Sequence, residues 1–207
     1  MVHGIILHIV HYANFSTGRE EVIMKATQEL MNEHRGIELM LDILETVASK
    51  LKAGERVDTA HLEGIMEFFT GFADKCHHGK EEDLLFPSLE ALGIARDGGP
   101  IGVMLHEHRI GRECIARMKK GLASMKEGLA DGSALFTDAA EEYIGMLRQH
   151  IQKEDNVLYP MGDARMSEET DKELFEAFEK LEEERIGKGK HEEFHAFLEK
   201  LEGIYLK

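Results

Sequence analysis

Two stretches of this sequence set a histidine and a glutamate four residues apart, ahead of an apolar run closed by proline. They are HHGKEEDLLFP at 77–87 and HIQKEDNVLYP at 150–160. Four residues is a little more than one helical turn, so each His-x-x-x-Glu puts an imidazole and a carboxylate on one helix face. Laying Lys80, Glu81, Leu85, Phe86 and Pro87 over Lys153, Glu154, Leu158, Tyr159 and Pro160 sets His77 over His150 and leaves His78 opposite Ile151. The repeated pairs are therefore His77/Glu81 and His150/Glu154. His78 and Glu82 fall about 100° round the helix as neighbours. A further histidine precedes each copy, His34 in EHRGI and His108 in EHRIG, so four histidines and two glutamates recur in two matched halves.

The apolar stepping turns these six residues inward. His34 is in register with Ile37, Leu41, Leu44, Ala48 and Leu51, and His108 with Met104, Gly111, Ile115, Met118 and Leu122. Ala73, His77, Glu81 and Leu85 share one face, as do Tyr143, Met146, His150, Glu154 and Val157. Two unpartnered carboxylates in a core cost several kcal/mol each, and no lysine or arginine on these stripes neutralises both. Bound cations would. Imidazole with carboxylate suits iron, manganese or zinc, and the lack of thiolates argues against copper(I) and iron–sulfur clusters. Two single histidines and two His/Glu pairs can serve two ions bridged by the glutamates. One ion, or a buried polar network without metal, also fits these residues.

The elements that must carry this constellation are helices. Proline is scarce, and Ala, Leu, Glu, Lys and Met dominate. The breaks KAGERVD, LGIARDGGP, KEGLADGS, MGDARMS and RIGKGK divide the chain into helices near 24–53, 58–91, 100–127, 133–160, 167–185 and 190–204. Asp58 and Ser167 are expected N-caps, Pro100 suits a first helical position, and Pro87 and Pro160 are expected to end or kink their helices. Short connections between long amphipathic helices specify antiparallel neighbours, hence an all-α, up-down-up-down four-helix bundle with additional C-terminal helices.

Composition narrows the partners. A net charge of −15 argues against nucleic acid or an anionic membrane surface. No apolar run reaches the roughly 18 residues of a membrane span. The start MVHGIILHIVHYANFS lacks a basic n-region and an A-x-A cleavage site, so a cytoplasmic location is expected. Cys76 and Cys114 fall among apolar helical positions and read as buried thiols.

NEHRGIE, CHHGKEEDLLFP, GPIGVMLHEHRIGR and HIQKEDNVLYP together resemble the hemerythrin family, specifically bacterial hemerythrin-like proteins with HHE cation-binding domains. The resemblance covers about residues 24–160. It implies a four-helix bundle holding two non-haem iron ions with an oxo or hydroxo bridge, on His34, His77, Glu81, His108, His150 and Glu154. The implied activity is binding of, or reaction with, O2, NO or peroxide, in sensing, scavenging or iron handling. The alternative is a metal-stabilised structural or regulatory bundle whose acidic surface meets a protein partner. No separate catalytic acid or base stands out.

One departure concerns the third helix. Oxygen-carrying members place His-x-x-x-His there, whereas here Met104 and Arg112 flank His108 at four residues on either side. Tyr143 and the C-terminal segment GKGKHEEFHAFLEKL offer substitutes, and similarity to other hemerythrin-like chains makes His191 the leading seventh ligand. HEEFH also formally matches the zinc-protease HExxH, but it is short and no third ligand follows it.

Three segments result: 1–23 as an N-terminal extension, 24–160 as the bundle, and 161–207 as a helical extension packed on it. Met24 opens MKATQELMNEHR, and GREEVIM back-translates to a purine-rich stretch ahead of a start codon, so Met24 is the expected initiator.

Overall fold

A computed structural model of the protein describes residues 24–207; the reading of residues 1–23 lies outside them. The described chain folds into six helical rods with no strand among them. These are α1 (Lys25–Lys52), α2 (residues 59–91), α3 (Pro100–Lys126), α4 (residues 132–163), α5 (Glu168–Arg185) and α6 (Lys190–Tyr205). The first four form the antiparallel bundle. α3 packs along α4, α4 along α1, and α2 against α3, while the α5–α6 hairpin covers the side made by α1 and α2.

Several boundaries follow from local chemistry. The Asp58 side chain caps α2 by accepting from the Ala60 N–H at 2.9 Å, and Ser167 caps α5 by accepting from Thr170 at 3.2 Å. Pro100 takes the first turn of α3, where a missing N–H costs nothing. At the α3–α4 hairpin, Gly121 lies where a Cβ would stand 2.6 Å from the Phe136 amide nitrogen, so only glycine permits that helix approach.

Of the two outcomes expected at Pro87 and Pro160, an ended or a kinked helix, the first does not occur. In both helices, the chain widens just upstream into a π-helical turn, Glu81–Leu85 and Glu154–Leu158, and then runs on as α-helix to Ala91 and Asp163. The N–H of Phe86 bonds the carbonyl of Glu81 and the N–H of Tyr159 that of Glu154, each five residues back. This wider ladder accommodates the proline ring, which would clash with the preceding turn of a tight helix. Each wide turn begins at one of the two repeated glutamates.

The core is split in two. One apolar cluster gathers Ile37, Leu44, Phe69, Met118, Phe136 and their neighbours; the other gathers Leu30, Phe86, Leu89, Ile101 and Tyr159. Between them runs a buried polar layer holding His34, His77, His78, Glu81, His108, His150 and Glu154, none more than 4% exposed.

α1 has no side-chain cap of its own at Met24. Asp171 of α5 supplies one, accepting from the Lys25 N–H at 3.0 Å and the Ala26 N–H at 2.9 Å. Asp171→Ala is expected to cost about 1–2 kcal/mol, as for other lost caps, a fall in Tm of roughly 3–8 °C at this size. Asp171→Asn, which keeps one acceptor, should lose less in the same thermal melt.

Candidate metal centre

Each bundle helix delivers a histidine to the polar layer. His34 of α1 and His77 of α2 meet with Nε2 atoms 2.9 Å apart, and His108 of α3 and His150 of α4 meet at 3.1 Å. The repeated glutamates lie between the pairs. Glu154 comes within 3.3 Å of His34 Nε2 and 3.2 Å of His150 Nε2, and Glu81 within 3.4 Å of His108 Nε2 and 3.8 Å of His77 Nε2. Two overlapping groups result, His34, His77, Glu81 and Glu154 in one, His78, Glu81, His108 and His150 in the other.

The other ring nitrogen of each repeated histidine has a carboxylate. Nδ1 of His34 donates to Asp155 at 2.6 Å, His77 to Glu33 at 2.7 Å, His108 to Glu82 at 2.6 Å and His150 to Glu107 at 3.0 Å. An ionised carboxylate only accepts, so each Nδ1 carries the proton and each Nε2 turns its lone pair inward. A cation faces each of these carboxylates on its outer side: Lys80 on Glu33, Lys153 on Glu107, Arg35 on Asp155 and Arg112 on Glu82. The EH dipeptides and the KEE and KED tripeptides of the repeat thus encode both the ligands and their supports. Glu33 and Glu107 precede the single histidines, while Glu82 and Asp155 follow the repeated glutamates.

These residues fit a bound cation. Two nitrogens each about 2.0–2.1 Å from one ion lie about 2.9–3.4 Å apart at square to tetrahedral angles, and both histidine pairs fall in that span. Without a positive charge between them the facing lone pairs would repel. Glu81 Oε2 and both Glu154 oxygens are buried with no hydrogen-bond partner, which a native core tolerates only where something else satisfies them. The electrostatics agree. Burial, with Glu154 facing it, pushes Glu81 well above the usual carboxylate range. Burial would push Glu154 the same way, but His150 and then His34 hold it well below that range. Against the cost of burial, Glu154 and Glu107 raise His150 to about 9, while burial with His78 alongside lowers His108 to about 3. With no cation bound, a proton on His150 takes up part of the carboxylate charge, and a metal ion would replace that proton and free the Nε2 lone pair.

Three placements differ from expectation. His78, read as a neighbour, is buried, stacks on His108 with ring centroids 3.9 Å apart, and carries an Nδ1 without a hydrogen-bond partner. α2 lies between α1 and α3, so one step round the helix from His77 leads into the α3 seam instead of solvent. His191 is not brought to the layer. It stands outside Glu33, grouped with Glu33 and Glu182, because α6 packs on the outer side of α1 and α2. Tyr143 is buried below, edge-on to Phe69, with an unpartnered hydroxyl. The tyrosine at the layer is Tyr159, whose hydroxyl donates to Glu81 Oε1 at 2.6 Å and whose ring stacks on His34. Its repeat counterpart Phe86 stacks likewise on His108. The Phe-to-Tyr exchange between the two copies was the sequence signal for this hydroxyl.

Comparison with known proteins fits this centre. Residues 25–162 match the family model of the hemerythrin HHE cation binding domain, and the chain belongs to that family. It is 28% identical over 196 residues to an uncharacterized protein of Mycobacterium tuberculosis, covering 92% of this chain and 75% of that one. It is 30% identical over 125 residues to the iron-sulfur cluster repair protein YtfE of Yersinia pseudotuberculosis, covering 59% of this chain and 54% of the relative. The match to the protein of that name in Edwardsiella ictaluri is 36% over 92 residues, 42% of this chain and 41% of that one. The chain therefore spans about half the length of these repair proteins. No solved structure matches it.

The carboxylates behind the histidines are expected to set the affinity of the centre. Glu107→Ala should weaken metal binding about 10- to 100-fold, as loss of such supports does elsewhere, measured by equilibrium competition with a chelator. An unchanged affinity would remove the supporting role.

Proposed function

We propose that this protein holds two non-haem iron ions on His34, His77, Glu81, His108, His150 and Glu154, and that the centre binds or reacts with O2, NO or peroxide. The observation that carries the reading is the pair of facing carboxylates with unpartnered oxygens, flanked by four imidazoles whose lone pairs point between them. Bound iron would supply redox chemistry and open coordination positions for a small ligand. The protein's part is to hold the imidazoles in one tautomer through Nδ1, to place the two glutamates across both groups, and to keep bulk water out with an apolar cluster on either side. A layer this buried favours diatomic molecules or peroxide over bulky substrates.

The names of the repair-protein relatives support a role in iron handling connected with iron–sulfur cluster repair, and we place it in the cytoplasm. No helix of the described residues is long and apolar enough to cross a membrane.

Metal content and absorption of aerobically purified protein test the reading. About two irons per chain are expected, with near-ultraviolet charge-transfer bands that change on adding NO or peroxide. Stoichiometric zinc, or a spectrum indifferent to those ligands, would favour the metal-stabilised structural bundle. His77→Ala is expected to lose most of the iron and His78→Ala markedly less. Stripping the metal should lower Tm by several degrees, since Glu81 and Glu154 then face each other with only protons between them.

A further inference from the structure

Two histidines outside the centre share one of its features, a close pair of Nε2 atoms. His191 and His195 lie one turn apart on α6, rings parallel within 10° and centroids 4.7 Å apart, with Nε2 atoms separated by 2.9 Å. His191 Nδ1 donates to Glu182 Oε1 at 2.9 Å, which leaves its Nε2 as the lone-pair nitrogen. As in the central pairs, two Nε2 atoms stand at the separation that one ion spans, with a carboxylate here behind one ring of the two and the rings parallel instead of tilted. Phe72 meets both rings edge-on and fixes them on the outer face of α2.

The surroundings favour a cation from solvent. His191 borders an open cleft of about 560 Å³ lined by Glu29, Glu176, Glu179, Glu182 and Glu183, with Lys80 and Lys180 as its only lysines. An acidic cleft concentrates cations at its wall. The inner group of Glu33, Glu182 and His191 is not the open position, since the Lys80 ammonium already bonds both carboxylates. His195 is exposed, and the His191 side chain is 21% exposed.

We propose that His191 and His195 form a second, surface-accessible site for one divalent transition ion of the zinc, nickel or iron(II) class, with Glu182 orienting His191 and water completing the coordination. Two imidazoles select such borderline ions over magnesium and calcium, which take oxygen donors.

Equilibrium dialysis of the full chain, as purified with its resident metal, against micromolar Zn2+ tests this by metal analysis. Wild type is expected to take up one further zinc per chain. His195→Ala and His191→Ala should each lose it, a drop in affinity of at least about tenfold on removing one of two nitrogen donors, with the resident metal unchanged. His195→Gln, which keeps a polar side chain on the exposed face, should lose it as well, and Mg2+ should not compete. The site is rejected if wild type takes up no further zinc, or if the extra equivalent survives in all three variants. Because the readout is a difference between wild type and variants at constant resident metal, it stands whichever metal the centre holds.

Discussion

Glu81 and Glu154 face each other at the centre of the bundle, both fully buried, and the rest of the structure is arranged around that repulsion. Two carboxylates in a low-dielectric interior cannot both remain ionised without positive charge between them. Four imidazoles approach from four helices, and the lone pairs they present need a cation as much as the carboxylates do. The charge alternates outward from there: imidazole, then the carboxylates Glu33, Glu82, Glu107 and Asp155, then the cations Lys80, Arg112, Lys153 and Arg35. Each shell satisfies the one inside it. The cost of a polar layer through the core is thereby spread over fourteen side chains, of which Arg35, Arg112 and Lys153 reach solvent while Lys80 stays buried.

The two halves of the site are not equivalent. Tyr159 and Phe86 occupy matching places on His34 and His108, but only the tyrosine carries a hydroxyl, and it is bonded to Glu81. His78 adds an imidazole beside His108, where the other half has Ile151. A duplicated scaffold has therefore acquired one extra hydroxyl and one extra imidazole at different ends of the same centre. The two ends of the layer therefore differ in their surroundings, a hydroxyl on Glu81 at one and a second imidazole beside His108 at the other.

Much of this was legible in the sequence because the signals were periodic and repeated. The six helices, the caps at Asp58 and Ser167, the inward faces and the matched His/Glu pairs all follow from stepping and alignment. What was not legible depended on which element packs where. His78 looked peripheral because alignment weighs only what repeats, whereas its burial comes from the position of α2 between two helices. In the sequence Lys80 is only an aligned position, and its burial appears once Glu33 and Glu182 close over it from two other helices. The prolines read as ends or kinks because a tight helix was assumed, and the wide turns that admit them appear only in the hydrogen-bond ladder. His191 carried a ligand-like neighbourhood in the sequence, and the fold turned that neighbourhood outward.

The C-terminal hairpin is more than a cover. Asp171 caps α1, the helix that brings His34 to the centre, and Glu182 holds Lys80, which in turn holds Glu33 behind His77. Thus α5 bears on both histidines of one pair, on His34 through helix capping and on His77 through an unbroken chain of hydrogen bonds. The α3–α4 pair has no such attachment, its supports Glu82 and Glu107 being held by Arg112 and Lys153 of the bundle itself. Displacing the hairpin would remove the Asp171 cap from α1 and the Glu182 anchor from Lys80, both on the His34/His77 side. The extension therefore links its acidic outer cleft to the His34/His77 side through Glu182, Lys80 and Glu33.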